Sequence, residues 1–491
     1  MLQELNNDTI CAQATTAGQG AISVIRVSGN QALQIVSRVF VSRKGRKIEE
    51  MQGYTMCYGS ITGGSGSVLD DVIVAVFRNP DSYTGEDMAE ISCHASPYIV
   101  SEILQVLMDR GCRYAYPGEF TRRAFLNGKM DLAQAEAVAD VIASETEASH
   151  KIAMQQLRGG FSKELAEMRQ QLLKIVSLME LELDFSEEDV EFADRSELRD
   201  LLDKSTTRIS ELISSFKLGN AIKNGVPVAI VGATNTGKST LLNALLREDR
   251  AIVSSIAGTT RDTIEETVNI DGILFRFIDT AGIRRTLETI EIAGIERTYF
   301  KIKQASVLLL VLDYTRQDDM EASVKNMSLN FNKDQTLIIL LNKIDEKPLA
   351  VTNIFDDRMA DTITPEESVS KVCDAVSAIA SDCGLSPVAI LPISAKKGQG
   401  LDDLRTLLSS SQSSVKAGGE STLVTNIRHY TALKEAYEAL LKAAVALDER
   451  RPTDLVTQDI REALYSIGTI VGEITTDEVL DNIFKNFCIG K

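Results

Sequence analysis

The segment Gly232-Ala-Thr-Asn-Thr-Gly-Lys-Ser239 constrains the fold more than any other part of the chain. It follows an apolar run, Val226 to Val231, and precedes a stretch of helix-forming residues, Thr240 to Leu246. A glycine-rich loop between a strand and a helix turns backbone N–H groups and the positive end of the helix dipole toward one point. The sequence therefore predicts a phosphate-binding loop in an α/β domain. In that loop we expect Lys238 to reach the β and γ phosphates and Ser239 to bind Mg²⁺.

Apolar runs alternate with helix-forming stretches from residue 225 to about residue 411. The runs are Val226 to Val231, Ile273 to Ile278, Val307 to Leu312, Leu337 to Leu341 and Val388 to Leu391. This alternation predicts a mainly parallel sheet with helices on both faces. The pair Asp271-Gly272 lies between Thr267–Ile270 and Ile273–Phe277, which predicts a hairpin and hence one antiparallel pair at an edge.

Four further motifs follow in the order that a GTPase requires. They are Gly258-Thr-Thr-Arg-Asp262, Asp279-Thr-Ala-Gly282, Asn342-Lys-Ile-Asp345 and Ser394-Ala-Lys396. Thr260 can supply a second hydroxyl to Mg²⁺, Asp279 can hold a water bound to Mg²⁺, and the Gly282 N–H can sense the γ-phosphate. Asp345 can accept both N–H groups of guanine, which adenine does not offer, and Ser394–Lys396 can close on the base. The ordered set predicts a GTP-binding domain.

Two positions bear on the hydrolysis mechanism. Small signalling GTPases place a Gln after the Asp-x-x-Gly motif to orient the attacking water, but this chain has Ile283, which cannot form that hydrogen bond. Another group must act on the water, and the charged candidates just downstream are Arg284, Arg285, Glu288 and Glu291. Asn235, inside the phosphate loop, is open to two interpretations: a ligand of a monovalent cation, or an Asx turn that only stabilises the loop.

The sequence on either side of residues 225–411 has a different character. Residues 1–127 mix short strands such as Ile22–Val27 and Val72–Phe77 with turns and one helix, Ile99–Leu107, which predicts an α+β module. Residues 128–224 and 412–491 are helical. Their predicted helices include Leu132–Ile142, Leu165–Leu183, Ala432–Leu447 and Ile460–Ile483. We therefore predict a multidomain protein: the α+β module, then an all-α domain interrupted by an inserted α/β domain of the Ras-like GTPase type.

Composition restricts the class of protein further. A protein that binds nucleic acid over a broad face is normally basic, whereas this chain has a net charge of −18. A nucleic-acid partner would therefore have to bind a local patch or be presented by another subunit. Seven cysteines are an odd number with no Cys-x-x-Cys spacing, which fits reduced thiols better than a disulfide framework. The chain has no apolar stretch of bilayer length and no secretory signal at its start. We expect a cytoplasmic protein without a membrane partner.

The chain resembles the MnmE (TrmE) family of bacterial GTPases, which modify the wobble uridine of tRNA. The resemblance covers the whole length and adds several segments to the GTPase motifs. They are Asp8–Thr15, Ile25–Gly29, Tyr83–Asp87, Pro117–Asn127, Lys129–Ala137 and the C-terminal Phe487-Cys-Ile-Gly-Lys491. A terminal Cys-Ile-Gly-Lys after a GTPase inserted in a helical domain is highly specific.

The resemblance implies an activity and partners. The family works with MnmG, a flavoprotein that carries FAD, and the two together install an aminomethyl or carboxymethylaminomethyl group at C5 of the wobble uridine of certain tRNAs. The one-carbon unit comes from 5-formyltetrahydrofolate or a related folate. The resemblance also implies a homodimer, a heterotetrameric or larger complex with MnmG, Mg²⁺ and K⁺ as cofactors, and contact with tRNA either directly or through MnmG.

The resemblance also assigns site residues. Glu291 matches the catalytic Glu that acts on the attacking water, which answers the problem posed by Ile283. The implied K⁺ ligands are Asn235, Ser254, Ile256 and Thr259, where Ser254 replaces a common Thr, and Mg²⁺ is implied at Ser239 and Thr260. The implied folate contacts are Arg26, Glu90, Lys129 and Lys491 of the N-terminal folate-binding and dimerisation domain. The implied GTP-binding set is Asn235, Thr236, Gly237, Lys238, Ser239, Thr240, Ser254, Ser255, Ile256, Ala257, Gly258, Thr259, Thr260, Asp279, Thr280, Ala281, Gly282, Asn342, Lys343, Asp345, Ser394, Ala395 and Lys396.

The chain departs from the family at two places. His94 begins a His-Ala-Ser-Pro segment where the family has His-Gly-Gly-Pro, so that loop is expected to differ in shape. The stretch from Glu346 to Asp374 is longer than usual and reads as a surface excursion. For Cys488 we favour a buried or folate-adjacent structural thiol over a nucleophile, because no histidine lies nearby in the sequence.

A regulatory GTPase of ribosome assembly is the alternative from another functional class. It predicts a basic RNA-binding appendage, which the acidic chain does not contain, and it leaves the N-terminal motifs unexplained.

Overall fold

A computed structural model describes residues 8–64, 66–184, 195–249, 266–278, 303–329, 331–346, 365–413, 415, 422–485 and 487–490. Strands β1 to β13 span, in order, Thr9–Gln13, Ile22–Ser28, Phe40–Ser42, Thr55–Thr62, Val68–Phe77, Met88–His94, Cys112–Tyr114, Val226–Val231, Glu266–Ile270, Ile273–Phe277, Val307–Asp313, Thr336–Asn342 and Ala389–Ile393. Helices α1 to α14 span, in order, Ala32–Val39, Pro97–Asp109, Glu119–Leu126, Leu132–Ala143, Glu147–Leu157, Gly160–Asp184, Arg195–Asn224, Lys238–Asp249, Met320–Ser328, Pro365–Asp382, Leu401–Ser411, Ile427–Asp448, Thr453–Val471 and Asp477–Phe484. Within these ranges no helix is both long and apolar enough to cross a bilayer.

The chain divides into two compact units. The first contains residues 1–143, 153–210 and 431–491, and the second contains residues 144–152 and 211–430. One division follows α4 and the other three fall inside α5, α7 and α12, so each of these three helices contributes to both units. The domain boundaries predicted at residues 127, 224 and 411 stay predictions.

The second unit is built on the predicted parallel sheet. Its strand order is β13-β12-β11-β8-β10-β9, and every neighbouring pair is parallel except the last. β9 and β10 form the predicted antiparallel hairpin around Asp271-Gly272, with Ile273 opposite Ile270. The carboxyl ends of the parallel strands therefore meet at one edge, where ligands bind in open α/β sheets.

Burial on both faces explains the continuous apolar runs of this sheet. The odd-numbered residues of β11 from 307 to 311 pack in one core with Leu241 and Leu245 of α8. The even-numbered residues from 308 to 312 pack in another core with Val324 of α9 and Val372 of α10. When helices cover both faces of a strand, the side chains on both faces are buried, so its sequence is continuously apolar and does not alternate with polar residues.

The longer stretch from Glu346 to Asp374 is only partly a surface excursion. Residues 347–364 lie outside the described part of the chain, but α10 begins at Pro365 and buries Val372 against the sheet of the second unit. The expectation is wrong for this last part, because the apolar residues of α10 recur at helical spacing and cover one face of the sheet.

The N-terminal module of the first unit is the predicted α+β structure. Its sheet has the order β3-β4-β5-β6-β2-β1-β7, antiparallel throughout except for the parallel pair β1–β7. Helices α1 and α2 bury their apolar stripes against one face, where Ile25, Val74 and Ile91 form the core. The opposite face carries the side chains that alternate with them, including Arg26 and Glu90.

The predicted helix Ile460–Ile483 is wrong, because the structure has two helices, α13 and α14, in its place. Gly472 ends α13 in the left-handed region with φ +84, and its N–H donates to Gly468 O at 3.1 Å. A Cβ at Gly472 would lie 2.8 Å from the Phe125 ring. Thr476 then caps α14 by accepting from Val479 N. A glycine followed by a Thr N-cap indicates the end of one helix and the beginning of the next. The apolar periodicity runs through both helices and does not show this break.

Candidate functional site

The phosphate loop depends on its two glycines. Gly232, directly after β8, has φ +149, and a Cβ there would lie 2.3 Å from Val311 O of the neighbouring strand. Gly237 has φ +96, and a Cβ there would lie 2.2 Å from Asn342 Nδ2. Side chains at these positions would push the loop off the strand ends. The glycines therefore hold the loop close to β11 and to the end of β12.

Lys238 begins α8 and bends back over the loop. Its Nζ donates to Gly232 O at 2.8 Å and to Ala233 O at 2.6 Å. Burial lowers the pKa of its ammonium group. The positive charge therefore lies at the helix N-terminus, where an anion is favoured. Ser239 and Thr240, expected to face the phosphates and Mg²⁺, follow in the first turn of α8.

Asn342 joins three parts of the site. Its side-chain Nδ2 donates to Thr236 O of the phosphate loop at 2.8 Å, and its Oδ1 accepts from Ala395 N at 3.0 Å. Asn342 is 2% exposed, so both bonds are shielded from water. One amide thus fixes the loop after β8, the end of β12 and the segment after β13 relative to one another.

Asp345 is held in place by Ser394. Ser394 Oγ donates to Asp345 Oδ1 at 2.7 Å, and Lys397 Nζ lies 3.7 Å from Oδ2. The Ser394 hydrogen bond, with a smaller contribution from Lys397, lowers the pKa of the Asp345 carboxyl. Ser394 is held in turn by its N–H bond to Gln399 O at 3.0 Å. An ionised carboxylate only accepts hydrogen bonds, which suits the two N–H groups on the edge of guanine.

Lys343 and Asp313 form an ion pair that the sequence analysis missed. Lys343 Nζ donates to Asp313 Oδ2 at 2.6 Å, and Asp313 is 5% exposed. The only sequence signal was an Asp directly after the apolar run Val307–Leu312, at the strand edge where the other motifs end.

Asn235 is exposed and has φ +66. Its side chain forms no hydrogen bond with other described residues, so the Asx-turn interpretation finds no support there. The other implied K⁺ ligands, Ser254, Ile256 and Thr259, lie outside the described residues. So do the remaining predicted residues of the loop and switch segments, which are Ser255, Ala257, Gly258, Thr260, Asp279, Thr280, Ala281, Gly282, Ile283, Arg284, Arg285, Glu288 and Glu291.

Two of the implied folate contacts pair with each other in the first unit. Arg26 on β2 lies opposite Glu90 on β6, and its Nε and Nη2 donate to Glu90 Oε1 at 2.9 and 2.8 Å. The guanidinium also donates to Gly490 O at 3.2 Å and lies 5.1 Å from the Tyr83 ring centroid. The C-terminal motif therefore lies against the sheet, and a Cβ at Gly490 would be 2.2 Å from Gln13 O.

Of the other two implied folate contacts, Lys129 lies in the described part of the chain, and its ammonium group bonds elsewhere. Lys129 is exposed and donates to Pro80 O at 2.9 Å. Lys491 lies outside the described residues. Cys488 is exposed, so the expectation of a buried thiol is wrong, and the alternative of a folate-adjacent structural thiol stays a prediction. The main-chain O of Cys488 accepts from Gly118 N at 3.4 Å. His94, in the departing segment, is exposed and its Nδ1 lies 2.7 Å from Asp70 Oδ1.

A buried ionic network in the first unit explains two of the family-like segments. Arg123 is 2% exposed, and its Nη atoms contact Glu86 Oε1 at 3.2 Å and Glu119 Oε1 at 3.1 Å. It also contacts Asp8 Oδ1 at 2.5 Å. The segments Tyr83–Asp87 and Pro117–Asn127 are therefore bound together through their charged residues. Replacing Arg123 would take the guanidinium away from the buried carboxylates of Glu86 and Glu119, which is destabilising for buried ion pairs.

Comparisons with known proteins cover the chain from end to end. A model described as "GTP-binding protein TrmE N-terminus" matches residues 9–129, and a model described as "MnmE helical domain" matches residues 132–488. The tRNA modification GTPase MnmE of Bacteroides thetaiotaomicron is 50% identical over 491 residues, covering 99% of this chain and 100% of that protein. MnmE of Parabacteroides distasonis is 49% identical over 486 residues, covering 98% and 100%. The chain therefore belongs to the MnmE family of tRNA modification GTPases, and it is a GTP-hydrolysing enzyme.

Proposed function

We propose that this GTPase works with the flavoprotein MnmG to add a carboxymethylaminomethyl or aminomethyl group to C5 of the wobble uridine of certain tRNAs. The observation that carries the proposal is that the chain belongs to the MnmE family over its whole length. The contacts that Asn342 makes with Thr236 and Ala395 support the nucleotide site within it. These contacts hold the phosphate loop and the segment bearing Ser394, the partner of Asp345, in one frame. A guanine nucleotide needs both ends recognised together.

The nucleotide is bound by two groups of opposite charge. Lys238, at the N-terminus of α8, neutralises phosphate oxygens, and Asp345 accepts from the base. The oxygen ligands that Mg²⁺ prefers are available in Ser239 and Thr260, which would hold the ion. When bound, Mg²⁺ supplies positive charge to the phosphate oxygens.

Hydrolysis depends on a monovalent cation and an acid residue. Asn235, with Ser254, Ile256 and Thr259, would hold K⁺ beside the phosphates, and the exposed position of Asn235 at φ +66 supports this assignment. K⁺ would contribute the charge that other GTPases obtain from an arginine finger. Glu291 would position the attacking water in place of the missing Gln, since Ile283 cannot.

The first unit would take the one-carbon folate. Arg26, Lys129 and Lys491 are cations suited to the glutamate carboxylates of a folate, and Glu90 is suited to the N–H edge of its pterin. The Arg26–Glu90 pair and the contact of Arg26 with Gly490 support a site that includes the C-terminal motif. We propose a homodimer that binds MnmG and its FAD in a larger complex, with tRNA contacted directly or through MnmG.

Complementation of a bacterial strain that lacks its own MnmE tests this function. The strain receives wild-type protein, Lys238→Ala or Asp334→Asn, and its tRNA nucleosides are measured by mass spectrometry. The wild type and the exposed-acid control Asp334→Asn should restore modified wobble uridines, whereas Lys238→Ala should not. Unmodified uridines with a wild-type protein that is expressed and hydrolyses GTP would contradict the proposal and favour a GTPase of ribosome assembly.

A further inference from the structure

Asp313 is a buried carboxylate fully engaged by hydrogen bonds. Its Oδ1 accepts from Thr315 N at 3.0 Å and from Thr315 Oγ1 at 2.7 Å, and its Oδ2 accepts from Lys343 Nζ at 2.6 Å. Burial by itself would raise the pKa of this carboxyl, but the Lys343 and Thr315 hydrogen bonds hold it below its usual value. Thr315 therefore fixes the direction in which Asp313 presents its second oxygen.

The path of the Lys343 side chain follows from the strand register. Asp313 lies opposite Asn342 in the parallel pair β11–β12, and Lys343 is the next residue. Lys343 has φ +68, a backbone conformation that costs free energy for a residue with a Cβ. Its side chain runs from the end of β12 to the end of β11, so the aliphatic stem lies across the carboxyl edge of the sheet.

The same edge carries the phosphate loop. Asp313 lines a small surface cavity together with Ala233, Thr234 and Thr236. Thr236 O is also the acceptor of Asn342, the neighbour of Lys343. Because β11 lies between β8 and β12 in the sheet, Asp313 at its end stands between the phosphate loop, which follows β8, and the segment with Asp345, which follows β12.

We propose that Asp313 is a positioning residue for the guanine nucleotide, acting through Lys343. By holding the ammonium at the end of β11, it fixes the lysine stem as a flat apolar wall beside the base whose edge Asp345 reads. An unpaired lysine side chain would lose conformational entropy when a nucleotide binds, whereas a lysine already held by an ion pair has lost that entropy beforehand. The inference rests on the proposed nucleotide site and deepens it.

A double-mutant cycle on the full-length protein tests this role. Asp313→Asn should weaken binding of a fluorescent GDP analogue about tenfold, mainly through faster dissociation in stopped flow. The rate of GTP hydrolysis at saturating nucleotide should change less than twofold. In a Lys343→Met background, which keeps an apolar stem but removes the ammonium, Asp313→Asn should have no further effect on GDP affinity.

The outcomes are distinct. An equal loss of GDP affinity in both backgrounds would make Asp313 merely structural, and unchanged affinity in a folded Asp313→Asn protein would also overturn the proposal.

If Asp313→Asn fails to fold, Thr315→Val replaces it, with a two- to threefold loss of GDP affinity expected only when Lys343 is present. Asp319→Asn, an exposed acid on the same cavity, is the matched control and should bind as wild type. Loss of GDP binding in Lys238→Ala but not in Asp313→Asn would overturn the positioning role alone, whereas a wild type that binds no GDP would overturn both.

Discussion

A carboxylate that reads guanine has to be ionised and held still, and Asp345 meets both conditions. Ser394 Oγ donates to it at 2.7 Å and lowers its pKa, and the backbone bond of Ser394 N to Gln399 O keeps the serine in place. A hydrogen bond to a charged group is worth about 1.5–3 kcal/mol when its partner matches. The proposed recognition of the base therefore depends on one carboxylate that Ser394 orients.

Asp345→Asn should change which base is bound. An amide accepts with its oxygen but offers N–H donors where the carboxylate had a second acceptor, so GDP affinity should fall about 100-fold or more. Xanthosine diphosphate, which has a carbonyl in place of the guanine 2-amino group, should gain affinity. Because the pKa of Asp345 is lowered, its carboxylate is ionised at both pH 6 and pH 8, so the loss of GDP affinity in Asp345→Asn should be the same at the two pH values. Competition against a fluorescent GDP analogue measures both, and an Asn variant that still prefers GDP would contradict the assignment.

Glu291→Ala should separate binding from hydrolysis. If Glu291 acts on the attacking water, its loss should leave GTP affinity within about threefold and reduce kcat by about 10²-fold or more. Equilibrium binding and single-turnover hydrolysis are measured on the same preparation. A large loss of affinity instead would remove Glu291 from the catalytic role. Glu288→Ala is the neighbouring control and should retain hydrolysis.

Helix ends decide the arrangement of the C-terminal elements. α13 ends at Gly472 because only glycine combines φ +84 with a backbone placed against Phe125 and Leu132. α14 then packs Leu480 and Phe484 against Leu132 and Ala135 of α4. Had the helix continued, these apolar residues of α14 would not have reached that cluster.

Gly472→Ala should destabilise the first unit. The methyl group would meet the Phe125 ring at 2.8 Å in addition to the strain of a positive φ, at a cost of about 2–4 kcal/mol. Gly45→Ala is a matched control, because Gly45 has φ +65 with nothing within 4 Å and carries only the backbone cost of about 1 kcal/mol. Thermal unfolding of the full chain should show a several-degree larger decrease for Gly472→Ala. Equal decreases for both variants would mean that the contact with Phe125 is not what excludes a side chain.

The proposed nucleotide site and the proposed folate site belong to separate compact units. The nucleotide groups belong to the unit of residues 144–152 and 211–430, and the Arg26–Glu90 pair belongs to the other. Each unit has its own hydrophobic core. The proposed coupling of GTP hydrolysis to tRNA modification must therefore be tested on the intact protein.

Replacing K⁺ by Na⁺ should slow GTP hydrolysis of the full-length protein by at least about tenfold at equal ionic strength. The reason is that the smaller ion would not match the proposed site, in which the Asn235 side chain and loop carbonyls would be the ligands. Asn235→Ala should hydrolyse GTP at the same low rate in both salts, while its affinity for GDP stays close to that of the wild type. Equal rates for the wild type in K⁺ and Na⁺ would exclude the cation role.

Local rules were sufficient for much of this protein. The phosphate loop, the strand runs of the second unit and the Asp271-Gly272 hairpin were predicted, because period, turn chemistry and glycine placement act over a few residues. Short-range rules also predicted the motif residues of the proposed nucleotide site, such as Lys238 and Asp345, and their roles there stay predictions. The roles of the residues outside the described ranges stay predictions.

Contacts between residues far apart in the sequence could not be predicted from local sequence patterns. Asp313 and Lys343 are 30 residues apart and meet only because β11 and β12 are parallel neighbours in register. Arg26 is 464 residues from Gly490, and Arg123 is 115 from Asp8, so neither partner follows from local pattern. Local sequence sets the preferred conformation of short segments, whereas the pairing of distant charges depends on which elements the chain packs side by side, and burial then makes those pairings strong.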